Sequence, residues 1–193
     1  ESIQGTLNSV AIKMHAGADP AQFDEEREAV RPVLAAVIEK LQEASDFGHP
    51  VAQYRFASPE FSFRRDREGN CKLLSKSADQ GFAPAAVQFA VCSPFESKSH
   101  RVAQLKKAAA NIELYAAYYP QPAVQLLCVS KPPVRSLSQL GQKEDYLAEI
   151  YLMLAQLSGS RTPDGIQYLE QAVAANDCAY AAKRLEHLQP STQ

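Results

Sequence analysis

A chain of 193 residues and 21.2 kDa, with 46% hydrophobic and 22% charged residues, has room for one domain with a real core and is too apolar for a disordered or collagen-like polymer. Lys and Arg number 20 against 22 Asp and Glu, a formal charge of −2, so no dominating attraction to nucleic acid or anionic lipid is built in. The four cysteines, at 71, 92, 128 and 178, form neither a CxxC pair nor a clustered zinc site, and no structural metal is expected.

The first thirty residues read as an N-terminal capping segment and residues 31–193 as a helical repeat domain. Leu7, Val10, Ala11 and Met14 have helical spacing, with a strand as the weaker option. Asp19-Pro20 then reads as an N-cap followed by the first helical position, and Asp24, Glu25 and Glu26 suit the positive end of that helix. Val33, Val37 and Leu41 continue the helical period.

From here a phrase recurs. Pro50-Val51-Ala52-Gln53-Tyr54 runs to Ser58-Pro59, Pro84-Ala85-Ala86-Val87-Gln88-Phe89 runs to Ser93-Pro94, and Pro122-Ala123-Val124-Gln125-Leu126 runs to Ser130 and Pro132. The segment before it repeats too: Leu41 to Gly48 aligns without gaps on Leu74 to Gly81, a shift of 33. That interval suits pairs of antiparallel helices, each pair covering its apolar stripe by stacking on the next. Gly48 and Gly81 fall where a helix end needs a left-handed residue, and Ala52 and Ala85, four later, let the second helix approach the first. A further copy, Leu169 to Asn176, puts Asn in the place of Gly. The fold expected is an all-α solenoid of stacked helical hairpins reversing near Gly48, Gly81 and Asn176. Its middle repeat, residues 99–130, is irregular or has an extended first helix.

Between the first two copies, Phe61, Phe63, Arg64, Arg65 and Arg67 form the one basic-aromatic cluster. It reads either as a surface for a nucleic acid, a phosphate or an acidic protein, or as a loop anchored by its phenylalanines; Asp66 and Glu68 dilute its charge. Tyr115, Tyr118 and Tyr119 share one face at helical spacing and are candidates for partner contact or core packing. Cys71 and Cys92 stand symmetrically about Gly81-Phe82, so antiparallel helices bring them opposite each other; a disulfide and a pair of buried thiols are both open. Cys128 and Cys178 have no mirror partner about their own turns and are expected buried and reduced.

No GxGxxG, P-loop, GxSxG or HExxH occurs, and His15, His49, His100 and His187 are scattered and read as surface residues. The acidic run Asp24, Glu25, Glu26 and Glu28 lacks calcium-loop spacing. Leu114 to Ser130 is uncharged but interrupted by Pro120 and Pro122 and too short to span a membrane. The first residue is Glu; a removed secretion signal, one explanation among several, would make the chain periplasmic or secreted, and otherwise it is cytoplasmic.

The Ala-rich helix end, Gly, three residues and Ala of Ala44 to Ala52 and Ser77 to Ala85 resembles the Sel-one-like repeat family, relatives of the tetratricopeptide repeats. Tyr151, Leu154, Ala155, Asp164, Tyr168, Leu169 and Ala172 resemble that family's inter-repeat helix, turn and following helix. The likeness covers about residues 33–94 and 145–188. It departs where Ser58 to Gly69 replaces a Gly-rich turn, where Ile112 or Tyr119 stands for a third Gly, and where Tyr180 replaces a small residue. The resemblance implies a bacterial signalling or envelope adaptor that binds another protein without catalysis or cofactor, with an immunity protein neutralising a secreted toxin as the alternative. A hydrolase or metal enzyme with an unfamiliar site is the less favoured reading and predicts convergent titratable groups in one pocket, for instance His49 or His100 near carboxylates.

Overall fold

Apolar residues recurring every three to four positions, with Pro and Gly at the joints, give a predominantly helical chain. The computed structural model describes residues 20–58, 67–92, 96–122, 126–129 and 140–188. In chain order these form α1 (Pro20–Asp46), α2 (Pro50–Ala57), α3 (Arg67–Asp79), α4 (Ala83–Cys92), α5 (Lys98–Ala110), a 3-10 helix (Ile112–Tyr118), the two-residue strands β1 (Gln121–Pro122) and β2 (Leu140–Gly141), then α6 (Lys143–Ser158), α7 (Pro163–Asn176) and α8 (Ala179–Glu186). The expected short helix through Leu7 to Met14, the Asp19 cap and His15 lie outside the described residues. Helix α1 starts at Pro20 and runs on through Pro32.

Each helix packs on its neighbour in sequence, with further contacts between α3 and α5 and between α4 and α6. The 33-residue shift is visible in the backbone, since Gly48 and Gly81 both have φ of +88°. Around the first turn the Gln53 side chain donates to the Ser45 carbonyl at 3.4 Å, and around the second Cys71 and Cys92 bring their Cα atoms to 5.9 Å. Residues equidistant from each turn therefore meet, and Ala52 and Ala85 are buried at the close approach.

The third copy breaks this pattern, and its sequence shows why. Asn111-Ile112 stands where Gly is needed, and a β-branched residue does not take positive φ. The chain tightens into the 3-10 helix instead of reversing, then passes through a cis Tyr119-Pro120 bond into β1. Pro122 pairs antiparallel with Leu140 and does not open a helix as the repeated phrase led one to expect, while the described residues remain mostly helical, consistent with an all-α fold. The remainder of its phrase, Ala123 to Gln125, lies outside the described residues. A smaller correction concerns Asn176. It is the last residue of α7, and the left-handed position is Asp177, φ +58°.

Helix α6 is the centre of the core because both its faces are covered. Tyr146, Ile150 and Leu154 pack with Tyr54, Phe82 and Leu105 on one side. Ala148, Leu152 and Ala155 pack with Leu169, Ala172 and Ala181 on the other. Each fully buried Leu or Ile stabilises the fold by about 1.5–3 kcal/mol relative to exposure. Among the described residues no helix is long and apolar enough to cross a membrane.

Candidate functional site

The glycine turns are stitched to one another along one edge. Gln80 of the second turn donates to the Gly48 carbonyl at 2.9 Å and to Gln53 Oε1 at 3.1 Å, and buried Ser77 donates to the Pro50 carbonyl at 2.7 Å. The same edge is extended by the next copy: Asn111 and Tyr115 donate to the Gln80 carbonyl at 3.4 and 3.1 Å, Gln104 donates to Asp79 Oδ1 at 2.7 Å, and Lys107 donates to the Asp79 carbonyl. The bonds to the Gly48, Asp79 and Gln80 carbonyls satisfy acceptors at helix C-terminal ends that the α-helix itself leaves open.

Tyr115, Tyr118 and Tyr119 were expected on one helical face; positions three apart eclipse in the 3-10 helix, so Tyr115 and Tyr118 stay together with ring centroids 6.4 Å apart, while Tyr119, just past its end, turns away. Tyr115 lies edge-on to Phe82 with centroids 5.3 Å apart, and its partial burial raises the hydroxyl pKa. Tyr119 turns inward between Phe82 and Tyr146; burial pushes its hydroxyl pKa strongly upward, and that hydroxyl has no hydrogen-bond partner among the described residues. Tyr118 is exposed and meets His49, ring edge to ring at 5.6 Å and Oη to Nε2 at 3.3 Å. His49 therefore has a partner that its sequence context did not reveal, and its Nδ1 also accepts the Ala52 N–H at 3.4 Å as the cap of α2. Phe47, 85% exposed, and Leu114, 71% exposed, flank this group in sequence, so the turn edge presents large apolar side chains to solvent.

A second feature is a cleft of about 250 Å³ between α3, α4 and α6, with Leu74, Val87, Val91 and Met153 beside Arg67, Gln88 and Glu149. Arg67 is the described member of the basic-aromatic cluster, and its guanidinium donates to the Cys92 carbonyl at 3.5 Å. Phe61, Phe63, Arg64 and Arg65 lie outside the described residues. Glu149 is 5% exposed; burial raises its carboxyl pKa while two backbone donors, Leu127 N at 2.7 Å and Cys128 N at 2.9 Å, act against the rise. His49 and His100 are outside this cleft; His100 lies at the surface 3.8 Å from Asp79. Among the described residues no group of three His, Cys, Asp or Glu side chains is placed to hold a metal ion.

All four cysteines are bonded. Cys71 joins Cys92, one of the two alternatives the turn symmetry left open. Cys128 joins Cys178 with Cα atoms 4.9 Å apart, which corrects the expectation of two reduced thiols. The symmetry argument reaches only partners within one pair of helices, whereas this bond ties a segment without regular structure to the start of α8. Compared with protein-family models, curated proteins and solved structures, the chain matches none.

Proposed function

We propose that this chain is a non-catalytic docking module of the Sel-one-like helical-repeat kind, an α-solenoid whose stacked hairpins hold a protein partner. The observation that carries the reading is the turn edge: two glycine turns of equal φ, 33 residues apart, stitched in series by Gln80, Asn111 and Tyr115. Stacking of this kind gives an extended surface held rigid by neighbour contacts, which suits recognition of another protein. Exposed Phe47 and Tyr118 supply aromatic anchors of the sort enriched at interface cores, with Leu114 adding apolar area beside them. The two disulfides favour an oxidising compartment, such as a periplasm or the extracellular space.

Capture of partners by the immobilised chain, followed by mass spectrometry, tests the reading. A protein retained at one-to-one stoichiometry and lost from the Phe47→Ser, Tyr118→Ser double variant is the expected result. A retained protein that blocks the toxicity of a secreted effector would narrow the role to immunity. Retention of no protein, or equal retention by the double variant, would overturn the docking edge.

A further inference from the structure

Helix α8 has few means of holding itself in place. At eight residues it is too short to be stable in isolation, it fully buries one residue, Ala181, with Leu185 and the following Leu188 only partly buried against the same cluster, and it packs chiefly on α7. Its N-cap is Cys178, whose Sγ accepts the Ala181 N–H at 3.5 Å and is also bonded to Cys128. On the other side of that bond the anchoring is independent of sulfur. The Cys128 N–H is held by Glu149, and its carbonyl accepts from Asn176 Nδ2 at 3.0 Å, which also donates to Asp145 Oδ1 at 2.9 Å. Opening the disulfide therefore leaves the 126–129 segment tied and removes a main restraint on α8.

The two disulfides also differ in access. Cys128 and Cys178 are 0% and 2% exposed, whereas Cys71 and Cys92 are partly exposed. Cys71–Cys92 joins α3 and α4, which the three-residue turn at Gly81 already holds together.

We infer that Cys128–Cys178 is a redox latch on the C-terminal helix, closed when oxidised and released by a small dithiol. Both sulfurs are buried, so the dithiol reaches them through transient local opening of α8; one of its thiolates then attacks a cystine sulfur, forming a mixed disulfide and expelling the other cysteine as thiolate. The second dithiol sulfur then displaces the remaining cysteine. Two protein thiols form and the dithiol leaves as a cyclic disulfide, so two electrons and two protons pass to the protein. Release of α8 uncovers Leu152, Leu169 and Ala172, the apolar face it shares with α6 and α7. The latch does not depend on the docking reading.

Hydrogen exchange on the full chain, oxidised and in dithiothreitol, tests it. Reduction should speed exchange of amides 179–188 by roughly tenfold or more while 146–155 stay slow. Cys128→Ser, Cys178→Ser protein should show the fast exchange without reductant, and Cys71→Ser, Cys92→Ser protein should stay latched until reduced. In a dithiol titration of the unmodified chain, alkylation should mark Cys71 and Cys92 before Cys128 and Cys178. Unchanged protection of 179–188 after full reduction, or simultaneous loss of protection at 146–155, would overturn the latch.

Discussion

Gly48 and Gly81 each reverse the chain with one left-handed residue, whereas the corresponding point of the next copy, Asn111-Ile112, carries no glycine and the chain runs on into a 3-10 helix. The first region is held by backbone conformation and small buried alanines. In the second, large polar side chains reach in to satisfy an irregular backbone: Tyr54 and Tyr146 both donate to the Pro122 carbonyl, at 3.0 and 2.5 Å, and Glu149 accepts from Leu127 and Cys128. The difference teaches that losing one permissive residue is offset only by several specific hydrogen bonds, because buried backbone groups must find partners.

The largest expected effect falls on the irregular region. Glu149→Leu strands the N–H groups of Leu127 and Cys128 and should lower stability by about 3 kcal/mol in urea denaturation. A loss under about 0.5 kcal/mol would show that this segment does not depend on the carboxylate. In the regular region, Gly81→Ala meets both the positive φ and the Asn111 carboxamide, whereas Gly48→Ala meets the φ alone in open space. Thermal melts should place the first near 2–3 kcal/mol and the second near 1 kcal/mol. Equal losses would remove the stitch between turns from the account.

Tyr146→Phe should cost about 1 kcal/mol through its bond to Pro122, while Tyr119→Phe, which removes a buried hydroxyl without a described partner, should be neutral or slightly stabilising. Glu149 also sets a pH dependence. Its folded pKa lies above the ordinary 4.5, so the folded state binds more protons between the two values. Its contribution is present below pH 4.5 and is lost as pH rises through the raised value. Stability of the unmodified chain relative to Glu149→Gln should therefore decline as pH rises above 4.5. A rise over that window would reverse the assigned direction.

The paired glycines and the Cys71–Cys92 contact were legible because both follow from one shift of 33 and one turn symmetry. Cys128–Cys178 was not, since its partners are 50 residues apart and belong to different elements. Of the tyrosine face, Tyr115 and Tyr118 stay together because positions three apart eclipse in the 3-10 helix, whereas Tyr119 lies just past its end, where no helical period applies. Glu149 left a readable trace: it is the sole charged residue from Tyr146 to Ser158, and a helix packed against apolar clusters on both sides leaves such a group largely buried. Asn176 and Asp177 differ by one position, a shift that the sequence pattern does not resolve.

The docking account is tested most directly by hydrogen-exchange footprinting of the chain bound to its captured partner. Slowed exchange concentrated in residues 47–49 and 112–118, with α7 and α8 unaffected, is the result the account predicts. A footprint confined to α7 and α8, or none at all on the turn edge, would contradict it.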